Sequence, residues 1–223
     1  MKKLLAVLGD AYHCSAHLVT ALVRPLHVRG YDPTIVFDNA VPWDDLSSFD
    51  MVLISRYAFD DVRNARELQF TLQQGHKHKW LSEYEETLIE AYAQNGGRLF
   101  LHHDAVAFYS EGGGIQRVSK SRFHNHPKRI NAEIRPTGVL PELTDGVEPY
   151  CVQEEEYIVD LDESQTSVFL ESYSMTNGRH VQGWCHEYGS GRVMVLVPGH
   201  DQAILMHPMT AKLIDNAITW LIA

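Results

Sequence analysis

A chain of 223 residues, 44% hydrophobic and 22% charged, has the composition of a folded globular protein and excludes a disordered one. With 29 Asp and Glu against 19 Lys and Arg, the net charge of −10 argues against nucleic acid and anionic membrane surfaces as partners. The length fits one α/β domain over residues 1–223.

The opening "KLLAVLGD" is a continuous apolar run stopped by Gly9 and Asp10, the pattern of a strand buried on both faces of a parallel sheet. Its apolar part, Leu4 to Leu8, is too short for a secretory signal, and no stretch reaches the roughly 20 apolar residues of a membrane span, so the expected location is the cytoplasm. Leu18, Leu22 and Leu26 then recur at helical spacing, with Pro25 expected to perturb the helix and Gly30 to close it. "TIVFD" and "MVLIS" follow as strands, and this β-α-β alternation predicts a parallel sheet with right-handed crossovers. Residues 57–81 read as a long polar excursion over the strand ends, a candidate lid carrying solvated His76 and His78.

Ser82 and Glu85 then make a capping-box pattern at the start of a helix whose inward face is Leu88, Ala91 and Tyr92, and "NGG" ends it. "RLFLHH" is the next strand. The stretch "GGGIQRVSKSRFHNHPKR" reads as loop, after which "NAEIRP", "EEEYIVD", "SVFLESYS", "HVQGWCHEY" and "RVMVLVPG" read as successive strands. Leu213, Ile214, Ala217, Ile218 and Leu221 form the apolar stripe of a closing helix, with Trp220 beside it as a core residue. The expected fold class is α/β, with a mostly parallel central sheet, helices on both faces and additional strands in the C-terminal half. Cys14, Cys151 and Cys185 lack the spacing of a metal or redox motif and are expected to be small buried side chains.

Histidines mark the strand ends. His13 follows the first strand, His102 and His103 end the central one, and His200 follows "VMVLVPG". Ligands of open α/β sheets bind beyond the carboxyl ends of the strands, so three strands deliver imidazole to the expected crevice. Side chains alternate along a strand, so His102 and His103 point to opposite faces and only one enters that crevice. His124 and His126 lie in a loop that either folds over the site or stays exposed. In "EEEY" a strand would place Glu155 opposite Glu154 and Glu156, with at least one of the three on a solvated face. Gly112 to Gly114 offer backbone donors, but without Walker or Rossmann spacing no nucleotide cofactor is expected.

Taken in order, "GGRLFLHHDAVAF", "RFHNHP", "EEEY", "GWCHEYGSGRVMVLVPGH" and "NAITWL" resemble the ThuA-like (trehalose utilisation) family along nearly the whole chain. The resemblance implies the three-layer, flavodoxin-like fold of the class I glutamine amidotransferases. It places the family's strand-end histidine on His103, its His-Pro motif on His126 and Pro127, its acidic-Glu-x-Tyr motif on Glu154, Glu155 and Tyr157, its Gly-His on Gly199 and His200, and its N-terminal histidine on His13. Glu154 stands where Asp is usual, and the 57–81 excursion is a further departure. No cysteine lies at the strand-to-helix elbow held by His103, so glutamine hydrolysis through a thioester is excluded.

The resemblance implies a small carbohydrate, a sugar or oxidised keto-sugar, as the partner. His103, Glu155 and His200 are the expected catalytic residues, and Tyr12, His13, His126 and Tyr157 the expected substrate contacts. Tyr12 and Tyr109 lie near strand ends, where a ring either packs on a sugar or belongs to the core. Two chemistries suit the cluster: proton exchange by His103 and Glu155, or a divalent zinc, manganese or iron ion held by His13, His103 and His200. The competing readings are a non-catalytic sugar-binding or regulatory protein and a metal-dependent hydrolase of esters or amides. Oligomerisation of identical chains is left open.

Overall fold

The computed structural model of this protein describes residues 1–37, 40–59 and 79–223. Most of the expected lid, with His76 and His78, lies at 60–78, outside the described residues. The ends of that stretch, Phe59 and Lys79, are joined by an isolated β-bridge.

Eleven strands run in chain order among the described residues: β1 Lys2–Leu8, β2 Tyr31–Val36, β3 Met51–Ser55, β4 Arg98–His102, β5 Ser121–Asn125, β6 Ile130–Pro136, β7 Tyr150–Glu154, β8 Ile158–Leu161, β9 Ser167–Ser174, β10 Gly178–Tyr188 and β11 Gly191–Leu196. Nine of them form one sheet in the order β2-β1-β3-β4-β11-β10-β9-β6-β7, while β5 and β8 pair as a separate ribbon. From β2 to β11 every pairing is parallel. From β11 to β7 every pairing is antiparallel.

The sheet is therefore mixed, which corrects the expectation of a mostly parallel one. The reason is connection length. Gly189 and Ser190 alone separate β10 from β11, and three residues separate β9 from β10, connections that only antiparallel neighbours can use. The strands of the first half are joined by helical crossovers and pair in parallel; those of the second half pair antiparallel with one another, and β11 alone also pairs in parallel, with β4.

Alternation along β1 divides the core. Leu4, Ala6 and Leu8 join one apolar cluster with Leu18, Leu22 and Leu26, and with Leu213, Ile214, Ala217, Ile218 and Leu221. Leu5 and Val7 join the other, with Ile89, Tyr92 and Ala93. Helices thus cover both faces of the parallel half, as the leucine and closing-helix stripes predict. The first helical segment, α1 over 15–28, is α-helical at Ser15–Leu18, opens into a π-helical stretch at Val19–Val23 and resumes at Arg24–Val28. The widening sits just ahead of Pro25, whose missing N–H and bulky ring do not fit regular α-helical bonding.

Helix α2, Glu83–Gln94, has the expected capping box at Ser82 and Glu85. Its buried face is Glu86, Ile89, Tyr92 and Ala93, with Ala91 exposed, a rotation of the expected face. The stretch expected to be loop contains a short helix, α3 Gly114–Ser119, and strand β5. The glycine run does not offer a phosphate cradle. The buried Glu86 carboxylate accepts from the N–H groups of Ser110 and Ile115, Gln116 takes that of Gly112, and a Cβ on Gly114 would lie 2.1 Å from the Glu86 backbone oxygen. The run lets two helices touch while the Glu86 side chain fills the turn. The remaining helices are α4 Gln202–Leu205 and α5 Pro208–Ile222.

Cys185 is buried as expected, whereas Cys14 and Cys151 are exposed. Trp220 is only partly buried against the core and lies beneath the Arg192 guanidinium. None of the described helices is long and apolar enough to cross a membrane.

Candidate active site

Strands β1, β4 and β11 end on the same edge of the parallel half, because their registers run level. The loops that leave them carry His13, His103 and His200 to one place. Glu155 reaches it from the antiparallel half, in the turn between β7 and β8. The four side chains present ligand-type atoms that all lie within 4.8 Å of one another. His13 Nε2 is 3.1 Å from His200 Nδ1, which is 3.2 Å from Glu155 Oε2, and that oxygen is 3.7 Å from His103 Nε2.

His102 and His103 part as the alternation requires. His102 turns away from the cluster, is fully buried, and bonds Ser55 Oγ through Nδ1 at 2.9 Å. Burial pushes its pKa down to about 3, so it stays neutral. His103 begins a short 3₁₀ turn, His103–Val106, with a φ of +51°, a left-handed conformation uncommon outside glycine. Its Nδ1 lies 2.7 Å from the Val197 carbonyl and so carries the proton that is donated there, leaving the buried Nε2 as the lone-pair nitrogen. That Nε2 has no hydrogen-bond partner among the described residues. Burial, reinforced by the positive charge of His13, holds the His103 pKa well below the usual range.

Two carboxylates that the sequence reading did not single out complete the site. Asp10 and Asp104 flank His13 Nδ1 at 2.7 and 3.0 Å. Burial disfavours a charged His13, yet these two carboxylates outweigh it and raise its pKa to about 10. Burial raises the pKa of Asp104, helped by the charges of Asp10 and Glu155 and opposed by His13. Burial works against Glu155 ionising too, but His200, His126 and His13 hold its carboxyl below the ordinary range. The rule that found the histidines also reaches these acids: Asp10 lies two residues beyond β1, and Asp104 directly follows His103.

The "EEEY" stretch is not a strand. Glu154 ends β7 and Glu155 to Tyr157 form the turn into β8. All three glutamates are buried, against the expectation of a solvated face. Glu154 accepts from the N–H groups of Glu155, at 2.8 Å, and Gly199, at 2.7 Å, tying together the two segments that carry Glu155 and His200. Burial pushes its pKa up to about 7 against those two bonds. Arg129 adds a second tie, donating to the Gln153 carbonyl and to Asp201 Oδ2. Glu156 faces away and accepts from Ser172, Ser174 and Asn177.

Of the expected contact residues, Tyr157 is buried, donates to Asp104 and packs 5.0 Å from the His103 ring. His126 stacks on Tyr157, with Nδ1 3.6 Å from Glu155 Oε1. Tyr12 stands at the rim, its ring 6.5 Å from that of His13. His124 is outside, paired with Asp160 on the β5–β8 ribbon. Tyr109 belongs to the core: it is buried and its hydroxyl donates to the Arg56 carbonyl.

The donor set suits a divalent cation. The Nδ1 atoms of His13 and His103 are anchored, to Asp10 and to Val197, which directs each Nε2 inward as in carboxylate- or carbonyl-oriented metal ligands, and a cation there would replace the Nε2 proton that the two carboxylates otherwise favour on His13. A second group, Asp10, His13 and Asp104, also gathers ligand-type atoms and shares His13 with the first.

The sequence matches the family model for ThuA, trehalose utilisation, over residues 39–221. The chain belongs to the ThuA family. A ThuA-like protein of Parabacteroides merdae superposes with a TM-score of 0.68 at 15% identity, covering 99% of this chain and 89% of that one. A cytoplasmic protein of Salmonella typhimurium superposes with a TM-score of 0.62 at 14% identity, with 99% of each chain covered. The β-galactosidase of Rahnella sp. R3 contains a region of the same fold, matching 98% of this chain but 31% of its own length, with a TM-score of 0.62 at 13% identity. A search of curated proteins gives no significant match. The family's description, trehalose utilisation, points this ThuA-family chain towards carbohydrate metabolism.

Proposed function

We propose that this chain is an enzyme that moves protons beside the carbonyl of a sugar or keto-sugar, by isomerisation or by elimination and hydration. One observation carries the reading: His13, His103, Glu155 and His200, distant in sequence, bring their ligand-type atoms within 4.8 Å of one another in a buried setting.

His13, His103 and His200 would hold a divalent zinc, manganese or iron ion, with Glu155 beside them. When bound, such an ion polarises a carbonyl or hydroxyl oxygen. Glu155 is the base of the arrangement. Its carboxyl stays ionised because three imidazoles surround it, and His126 lies near its outer oxygen. Asp10 and Asp104 fix the ring of His13, and the Tyr157 hydroxyl closes the far side of Asp104. Glu154 and Arg129 keep Glu155 and His200 in register with each other.

The test pairs elemental analysis of protein purified without chelator with turnover assays on keto-sugars. Stoichiometric metal is expected, and chelation is expected to abolish turnover until the ion is returned. His103→Ala and Glu155→Gln are each expected to reduce turnover at least about a hundredfold in a protein that still folds, with a lower melting temperature for His103→Ala because its ring is buried and bonded to Val197. Full activity of either variant removes that residue from the chemistry. Sugar binding without any product, under every metal condition, makes the chain a binding protein instead.

A further inference from the structure

Glu155 stands in a short connection that no regular element fixes. Residues 155–157 belong to neither helix nor strand, so the place of the Glu155 carboxylate depends on what holds its neighbours. On one side is Glu154, bonded to the N–H groups of Glu155 and Gly199. On the other is Glu156, fully buried, whose side-chain hydrogen bonds among the described residues all come from one hairpin.

That hairpin is β9–β10. Ser172 and Ser174, both buried on β9, donate to Glu156 Oε1 at 3.0 Å and to Oε2 at 2.7 Å. Asn177 Nδ2, in the connection between the two strands, donates to Oε2 at 2.7 Å. The connection is itself held, since the Asn177 N–H bonds Ser174 Oγ at 3.1 Å and the Asn177 carbonyl lies 3.0 Å from His180 Nε2. Burying a carboxylate is unfavourable unless its oxygens are hydrogen-bonded, so these bonds pin the side chain to the hairpin. Packing alone would be served by an apolar side chain of similar size; a hydrogen-bonded carboxylate adds direction.

The same hairpin reaches the other side of the cluster. Gln182 sits where the register of β10 against β9 shifts, and its carbonyl accepts the Val197 N–H at 2.9 Å. The Val197 carbonyl in turn accepts from His103 Nδ1 at 2.7 Å. One hairpin thus holds Glu155 through Glu156 and His103 through Val197, and it sets the 3.7 Å between Glu155 Oε2 and His103 Nε2.

We propose that Glu156 is the positioning residue of Glu155. It lies outside the donor cluster and acts only through its neighbour, tying the connection that carries the base to the hairpin that also carries the anchor of His103. The proposal rests on the reading of Glu155 as the base and adds the residue that places it.

The test is steady-state kinetics of the metal-loaded protein on keto-sugars, fructose, sorbose and tagatose among them, beside titration of the metal-free protein with Co²⁺. Glu156→Ala is expected to lower kcat by roughly tenfold to a hundredfold with KM within about threefold, because a displacement of about 1 Å suffices for such a loss. Glu156→Gln keeps an oxygen for Ser174 and Asn177 and offers its nitrogen to Ser172, and is expected to hold kcat within about threefold of the parent. Since Glu156 acts through Glu155, the double variant Glu155→Gln/Glu156→Ala is expected to fall no further than Glu155→Gln alone. Co²⁺ affinity is expected to stay within about tenfold of the parent in Glu156→Ala, because the three histidines hang from other strands. Asn177→Ala removes one donor and is the milder variant should Glu156→Ala not fold; it is expected to lower kcat about threefold with KM unchanged. Unchanged kcat in these variants, a further loss in the double variant, or loss of Co²⁺ binding in step with kcat each overturns the positioning role and leaves the enzyme reading standing. A parent that turns over no keto-sugar overturns both.

Discussion

Gly199→Ala probes the close packing that positions His200. A Cβ at residue 199 would lie 2.3 Å from His102 Cε1 and 2.4 Å from His102 Nε2. Non-bonded carbons rest at about 3.5–4.0 Å, so the ring or the loop must shift by more than about 1 Å. His102 has little room to give: it is fully buried, bonded to Ser55 and set edge-on to Phe100. The loop therefore moves, and overpacking of this kind costs about 1–3 kcal/mol. If the Gly199 N–H also leaves the Glu154 carboxylate, a further cost of about 1–3 kcal/mol follows. The expected fall in melting temperature is roughly 5–20 °C for a protein of this size. Calorimetry measures it, and turnover is expected to fall in parallel, since His200 is carried off with the loop. Replacing His102 by Ala in the same chain frees the space, so the double variant should be more stable than the sum of the single effects by about 0.5–3 kcal/mol. A Gly199→Ala protein with unchanged melting temperature and turnover would refute the argument that this contact sets the site.

His186 is expected to make the fold acid-sensitive. Burial, with a lesser push from Lys120, lowers its pKa to about 4, against the bond between its Nε2 and the Val118 carbonyl; Tyr188 packs beside it. The folded state thus binds this proton less readily than the unfolded chain, whose histidine titrates near 6.5. Its contribution, roughly 2–4 kcal/mol, is complete above about pH 6.5 and lost as pH falls towards 4. Urea titrations at pH 7 and pH 4.5 should show a smaller loss in His186→Gln than in the parent, and equal losses would count against the assignment. Glu86→Gln leaves one of two backbone N–H groups facing an amide nitrogen, and should cost about 1–3 kcal/mol in urea unfolding. Ser82→Ala removes the acceptor for the Glu85 N–H and should cost about 1 kcal/mol by the same measurement, while Ser82→Asp should keep most of it.

Much of the site was legible because strand ends are. The apolar runs of β1, β4 and β11 are unbroken, their ends are marked by Gly9, His102 and Pro198, and the residues just beyond share an edge. The same rule applied to acids as well as imidazoles would have named Asp10 and Asp104. Glu154 and Glu156 were harder. Three successive acids ordinarily mark a wet surface, and here Glu154 and Glu156 are buried because the neighbouring Glu155 N–H and, from farther along the chain, the Gly199 N–H, two serines and an asparagine meet them. The parallel half followed from its helical crossovers; the antiparallel half could be read from the two-residue connection between β10 and β11, which outweighs any expectation carried from the first strands. Ala91 was placed inward by spacing alone, but the α2 face is rotated so that Glu86 reaches the glycine turn.

The position of β11 bears on how the molecule is made. It is the final strand of the chain and yet lies between β4 and β10. Until Gly191–Leu196 has emerged from the ribosome, the growing polypeptide holds two incomplete sheets, each with an apolar margin unpaired. Insertion of this one segment seals both margins and brings His200 to the other three donors in a single late event. Assembly of the four donors thus waits on this last strand, with only the closing helix α5 still to follow it in the chain.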